Sequence, residues 1–477
     1  MSKLSRRLFC VVLAGVVLWP LIPAEAQRRR ASAATTVVDM LVVGGTIVTM
    51  DERKRVIEDG AVAVARGRIV AVGARAEVER RYRLAPRGER IDAAGRVVIP
   101  GLINGHTHAP MVLFRGLADD LELMDWLTKY IFPAEAKNVT EEFVRVGTRL
   151  ALAEMIRGGT TTYCDMYYFE DAIADETARA GVRGVLGETV IDFPVADNKT
   201  WAEAMAYSER FVKKWKGHPL ITAAVAPHAP YTVSEEHLKE VRALADRTGA
   251  PIVIHLAETR QEVADITKLK GVPPAEYLAR IGFLRPDVIA AHTVHLNERE
   301  IGLLKEHGVG SVHNPTSNMK LASGVAPVMS MLNREVRLGL GTDGAASNND
   351  LDMWEEMDLA AKLHKLSAND TRVLPADLAL ALATLGSARA LHMEKEIGSL
   401  EEGKRADLVV VDIDGLHQTP LYNVYSHLVY ATKASDVRTV VIEGRVVMRD
   451  RRLLTLDEAV VKRQARVFRE RISNSLK

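Results

Sequence analysis

Pro100-Gly101-Leu102-Ile103-Asn104-Gly105-His106-Thr107-His108 follows the apolar run Val97-Val98-Ile99, which reads as a buried strand. Side chains at i and i+2 of a strand point to one side. His106 and His108 therefore present two imidazoles to one point in space, where a strand runs out into a loop. That is half of a metal site. An isolated His-x-His is a weak signal, and a histidine pair on a solvated loop is the competing reading. The remaining ligands must come from elsewhere in the chain.

Downstream of this stretch, strand and helix signals alternate. The strand-like runs are Val97–Ile103, Thr160–Asp165, Val182–Thr189, Ile221–His228, Pro251–Glu258, Val288–Leu296, Gly308–Asn314 and Val336–Asp343. Helical patterns such as Glu141–Arg157 and Glu235–Thr248 lie between them. About eight strands with intervening helices over roughly 250 residues is the pattern of an α/β fold of the (β/α)8 barrel type. A doubly wound open sheet is the runner-up. It needs a Gly-rich phosphate turn after its first strand, and Gly101-Leu-Ile-Asn-Gly-His does not provide one.

Outside the barrel region the texture is short strands with glycine punctuation. Met40–Val43, Thr46–Met50, Ala61–Val64 and Arg68–Val72 precede it; Ala406–Asp412, Val437–Gly444 and Arg445–Met448 follow it. Neither group closes on itself, and chain ends commonly meet. The expected organisation is a discontinuous β-sandwich from residues 27–96 and 396–455, a barrel over 97–395, and a charged amphipathic C-terminal helix over 456–477.

The first 26 residues read as a signal peptide. Lys3, Arg6 and Arg7 are followed by an apolar stretch from Phe9 to Ile22, too short for a comfortable membrane span. Ala24-Glu25-Ala26 offers a small-x-small cleavage site, with Gln27 as the new N-terminus; a retained anchor is the alternative. Export, to a periplasm for example, is the expectation, and no membrane association after cleavage. Ser5-Arg6-Arg7-Leu8-Phe9 resembles a twin-arginine signal. Composition is that of an ordinary globular protein, 47% apolar and 26% charged. With 63 Lys+Arg against 62 Asp+Glu, nothing points to nucleic acid as a partner. Only Cys10 and Cys164 are present, so the chain without its leader can form no intramolecular disulfide. Cys164 ends an apolar run and reads as buried and inert.

In a barrel the functional residues sit at the C-terminal ends of the strands. Those ends here carry His106 and His108, Pro227-His228, His255-Leu-Ala-Glu258, His292, His313-Asn314 and Asp343. His106, His108, His255 and Asp343 offer three imidazoles and a carboxylate, which suits Zn2+ with one open position. Fe2+ or Mn2+ fits the same ligand types. Glu258 is placed for proton exchange with a bound molecule, His292 for a hydrogen bond to a metal-bound water, and Asp343 to take that water's proton.

PGLINGHTHAPM, HLAET, the first histidine of AHTVHL and GTDGAASNNDLDM resemble the metal-dependent amidohydrolase superfamily. Within it they resemble the 5′-methylthioadenosine/S-adenosylhomocysteine deaminases and their triazine- and purine-hydrolysing relatives. The resemblance runs from about Met40 to Met448. It implies hydrolytic deamination at C6 of an adenine nucleoside: metal hydroxide attacks the ring, Glu258 protonates the neighbouring nitrogen, His292 orients the hydroxide, and Asp343 passes the water proton to the departing amino group. It also implies substrate contacts at Trp126, Glu135, Arg183 and His228, and a homo-oligomer. Relatives with two metals have a carboxylated lysine at the end of strand 4. Ala226-Pro227-His228 stands there instead, so the resemblance implies one metal.

A second arginine, which in the family holds the amino-acid end of S-adenosylhomocysteine, has no counterpart between Arg183 and Arg210; Lys199 is the nearest cation. Lysine lacks the bidentate fork for a carboxylate, so adenosine and methylthioadenosine stand beside S-adenosylhomocysteine as expected substrates. Another purine, a pterin or a triazine is the alternative within the superfamily. A non-catalytic, metal-stabilised binding protein is the alternative outside enzymes.

Overall fold

The structure, a computed structural model, describes residues 35–476; the leader expected at 1–26 lies outside them. Eight parallel strands form the barrel sheet: Leu102–Thr107, Thr160–Tyr167, Arg183–Val190, Ile221–Pro227, Ile252–Leu256, Val288–His292, Gly310–His313 and Arg337–Leu340. Each pairs with its sequence neighbour, so the order in space is the order in the chain. The strands are apolar on both faces, as parallel strands covered by helices must be. Ile103, Cys164, Met166, Val185, Ala224, Val253, Ile289 and Val312 fill the interior. Hydroxyl or amide side chains open the helices that follow several strands. Thr140 accepts from Phe143 N, Thr200 from Glu203 N, Ser234 from His237 N and Asn297 from Glu300 N, which satisfies donors a helix start leaves free.

The first and last barrel strands meet without a regular ladder. The Asn104 side chain stands in for it: Thr342 N donates to Oδ1 at 3.0 Å, and Nδ2 donates to Thr342 Oγ1 at 2.7 Å. Two residues on, Asp343 N donates to the His106 carbonyl at 2.9 Å. Gly341 permits this approach, since a Cβ there would lie 2.7 Å from His106 N.

The terminal segments form a nine-stranded mixed sheet. Leu408–Asp412 pairs antiparallel with Arg96–Pro100, which pairs with Thr36–Val48. Arg68 bridges back to Arg405, so the sheet curls over its own core of Met40, Val42, Ile47, Val62, Leu408 and Val441.

The expected barrel start at residue 97 is corrected here. The run Val97–Ile103 is two strands in two sheets, Arg96–Pro100 in the terminal sheet and Leu102–Thr107 in the barrel. The break falls at Gly101, where a Cβ would lie 2.0 Å from Thr161 Oγ1. Both strands are fully covered on both faces, so hydrophobicity alone does not separate them.

Arg183 is also corrected. It begins the third barrel strand, at the opposite end from the histidines. Its guanidinium is buried against Asp407, with Nε to Oδ2 at 2.9 Å and Nη2 to Oδ1 at 3.2 Å, and reaches Glu443 Oε2 at 2.6 Å. Arg183 ties the floor of the barrel to the terminal sheet and meets no substrate pocket. The C-terminal helix, Glu458–Ser475, is only partly solvated. Val461, Phe468 and Ile472 are buried, and Phe468 packs edge-on against Phe143 at 5.6 Å. Among the described residues no helix is long and apolar enough to cross a membrane.

The fork makes a prediction. Asp407→Ala removes the fork and leaves the buried guanidinium with Glu443 as its one carboxylate, which should cost about 3 kcal/mol. Thermal and urea unfolding should show the loss.

Candidate active site

The strand ends bring His106, His108, His255, His292, Glu258 and Asp343 together at one mouth of the barrel. His106 Nε2 lies 3.5 Å from Asp343 Oδ1, His108 Nε2 lies 3.3 Å from the same oxygen, and His255 Nε2 lies 3.3 Å from His108 Nε2. Ligand bonds of about 2.1 Å at tetrahedral angles separate the ligand atoms by about 3.4 Å. Each of these three separations is that of two ligands on one tetrahedral cation, and the ligand atoms converge within 4.8 Å as two triads that share His106, one with His108 and Asp343 and one with His255 and His292. Neither ring nitrogen of the buried His106 makes a hydrogen bond, an uncompensated loss that a metal would remove.

The other ring nitrogens are committed. His108 Nδ1 donates to the Met166 carbonyl at 2.6 Å, and His255 Nδ1 donates to the His228 carbonyl at 2.9 Å. Both Nε2 atoms are thereby left facing the centre. Asp343 Oδ2 accepts from Ser317 Oγ at 2.7 Å and Ser347 Oγ at 3.0 Å, and Oδ1 from Gly344 N at 2.8 Å. Burial alone would raise the Asp343 carboxyl; the two histidines beside it hold it well below the usual range. Burial lowers His106 to about 4. Burial acts on His108 in the same sense, but Asp343 outweighs it and the ring rises to about 9.

Glu258 is buried, and burial pushes its carboxyl upward. Its Oε2 lies 3.8 Å from His292 Nε2, and Oε1 accepts from Ser323 Oγ at 3.3 Å. Glu262 anchors the backbone of this turn, taking Ala257 N at 2.9 Å and Glu258 N at 2.7 Å. His292 Nδ1 donates to Asn318 Oδ1 at 3.0 Å. Ala257, His292 and Asp343 all have positive φ, at 52°, 71° and 64°. Side chains rarely adopt that region, and such strain gathers at sites whose geometry is over-determined.

The group faces a small cavity of about 70 Å3. Trp126, Leu127, Phe132, Tyr168 and Leu321 supply much of its apolar wall. Glu135, His228, Glu258 and Asp343 line it too. Glu135 Oε1 accepts from Tyr167 OH at 2.7 Å, and burial lifts its carboxyl to about 7. His228 Nδ1 sits 2.9 Å from Thr232 Oγ1, and burial lowers its ring to about 3. Trp126, Glu135 and His228 thus share the cavity, and Arg183 does not. His313, though at a strand end, turns away and contacts His364, with Nε2 atoms 3.2 Å apart.

The supporting residues Ser317, Ser347, Asn318 and Glu262 were not read from sequence. For Glu262 a signal existed: Thr259-x-x-Glu262 is a helix-start pattern. The serines and Asn318 carry none, because they act only through contacts across loops.

The protonation of His108 sets a pH dependence. Its raised value means that the metal-free site holds a proton there up to about pH 9, and cation binding must displace it. Divalent-metal affinity should fall by about tenfold per pH unit below that point, as a chelator competition between pH 6.5 and 8.5, on the order of two units, would show.

A family model described as the amidohydrolase family matches residues 97–447. A 5-methylthioadenosine/S-adenosylhomocysteine deaminase of Syntrophobacter fumaroxidans is 50% identical over 419 residues, covering 88% of this chain and 95% of that relative. A 5′-deoxyadenosine deaminase of Methanosarcina mazei is 42% identical over 436 residues, covering 91% and 98%. Among solved structures, an adenosine deaminase from Xanthomonas campestris with bound zinc superposes with a TM-score of 0.90 at 44% identity, over 92% of this chain and 100% of that one.

Proposed function

The chain belongs to the amidohydrolase family and is a hydrolase of C–N bonds, a deaminase; on that premise we propose that it removes the 6-amino group of an adenine nucleoside, with water as co-substrate and ammonia and the inosine-type nucleoside as products. The observation that carries this is Glu258, a buried carboxyl with raised proton affinity beside a four-donor cluster. His106, His108, His255 and Asp343 would hold one divalent ion, zinc by ligand type. Such an ion, once bound, makes water a nucleophile near neutral pH.

The chain's own residues do the rest. Glu258 gives its proton to the ring nitrogen beside the reacting carbon. Asp343 takes a proton from the attacking water and returns it to the departing amino group, and the remaining hydroxyl proton of the adduct restores Glu258 as the carbonyl forms and ammonia leaves. His292, held by Asn318, aims its Nε2 at the same region and orients that water. Glu135 is set to accept from ribose hydroxyls, and His228 and Trp126 to pack against the base. The apolar wall excludes bulk water, which strengthens each of these contacts.

The cavity also bears on the substituent at the 5′ position. Among the described residues no lysine or arginine lines it, and Lys199 Nζ is spent on the carbonyls of Val195 and Ala196 in its own loop. An uncharged 5′ group therefore suits it better than a phosphate or an amino-acid carboxylate. The reading favours 5′-methylthioadenosine, 5′-deoxyadenosine and adenosine over S-adenosylhomocysteine.

Ammonia release should be measured on these four compounds, guanine and a chlorotriazine, with Glu258→Gln as the paired variant. Turnover of at least one adenine nucleoside is expected. The variant should keep its metal and lose about a hundred- to ten-thousand-fold in kcat. No turnover of any adenine compound, or a fully active variant, would overturn the reading.

Export of the chain through its N-terminal segment is part of the same proposal, supported by the basic start, apolar stretch and Ala24-Glu-Ala26. Arg6→Lys with Arg7→Lys should leave the protein inside the cell on fractionation if the twin-arginine route is used; continued export would exclude that route.

A further inference from the structure

Thr107 lies between the two ligand histidines and turns the opposite way. Its Oγ1 donates to the Cys164 carbonyl at 3.0 Å and to Asp165 Oδ1. Ala109 N donates to the same Oδ1 at 2.6 Å. His108 Nδ1, between them, donates to the Met166 carbonyl at 2.6 Å. Three consecutive residues of the second barrel strand thus receive three consecutive residues of the first strand's exit. These contacts stand where the ladder between the two strands is irregular, with a register shift between the Asn104–Tyr163 and Thr107–Asp165 pairs. The backbone ladder alone does not set the height of the turn.

We propose that Asp165 is a positioning residue that fixes the His106-Thr107-His108 turn against the second strand and so aims both imidazoles at Asp343. The proposal rests on reading the two histidines as ligands. Asp165 is fully buried. Its second oxygen, Oδ2, has no N–H or hydroxyl donor, and neither oxygen of the buried Glu170 has one. The two carboxyls act on each other, Asp165 raising Glu170 and Glu170 lowering Asp165, and a proton held on Glu170 and shared with Asp165 satisfies both. Burial favours this, lifting Asp165 to about 6 and Glu170 well above its usual range.

The support continues outward. Glu170 N donates to Glu188 Oε2 at 3.0 Å, and Glu188 Oε1 accepts from Asn198 Nδ2 at 3.2 Å. A cation is a poor occupant of this group: among the described residues, the only sets of three ligand atoms that converge within 4.8 Å involve the active-site histidines. Asp165 therefore acts through the geometry of a hydrogen-bond acceptor rather than through its charge, and an amide can replace it.

The test is Co2+ binding to the metal-free full chain by chelator competition, read without substrate and so independent of which nucleoside is deaminated. Asp165→Ala should weaken Co2+ binding about 10–100-fold, the range for residues that support a metal ligand. Asp165→Asn should bind nearly as the parent does, because its Oδ1 still accepts and its amide donates to Glu170. Thr107→Val, which removes one donor, should fall between. An alanine variant that binds Co2+ as the parent does overturns the proposal. So does an asparagine variant as weak as alanine, since charge would then be what matters. Should the alanine variant fail to fold, Thr107→Val decides. Weaker binding with unchanged far-UV circular dichroism supports the proposal, and parental binding overturns it.

Discussion

The barrel closes through a side chain, and the site depends on that closure. Asn104 bridges the first and last strands to Thr342, and the next contact along the seam joins Asp343 N to the His106 carbonyl. The carboxylate and the first histidine of the cluster are thus set by the same bonds that finish the barrel. Amide side chains supply both a donor and an acceptor, which lets one residue replace a pair of ladder bonds. A barrel that failed to close here would separate Asp343 from His106 and His108 and leave no centre at all.

Around that seam the chemistry is a matter of which polar atoms are already occupied. The outer nitrogens of His108, His255 and His292 are each held by a neighbour, and Oδ2 of Asp343 by two serines. What remains free points inward. Burial raises both of the cluster's carboxyls, and their neighbours then separate them. The adjacent imidazoles hold Asp343 well below the usual range, whereas burial, with the charge of Asp343, pushes Glu258 upward against the pull of His292 and His108. Two buried carboxyl groups thus acquire opposite proton affinities by placement alone.

Among the described residues, none of the second sheet lines the cavity. Arg183 and Asp407 fasten that sheet to the barrel floor, and the strand Arg96–Pro100 passes straight into the first barrel strand. The substrate contact expected at Arg183 came from the family resemblance alone. The residue's actual position is at the start of a strand, and a strand of eight residues carries the chain from one face of the barrel to the other. Sequence distance along a strand does not tell which end faces a ligand until the direction and start of that strand are known.

The residues whose signal is local were legible in sequence. His106 and His108 share a strand side by the two-residue period; His255, His292 and Asp343 end apolar runs; the alternation of strand and helix implies a barrel whose working face is those ends. These follow from covalent spacing and from the burial that apolar runs demand. Other features were decided only in three dimensions. The division at Gly101, the Asn104 seam, the Ser317 bond to Asp343 and the Asp165 support of the ligand turn all join residues dozens to hundreds of positions apart. Such pairings are fixed by how the sheet curls and which loops then touch, and no period in the chain records them.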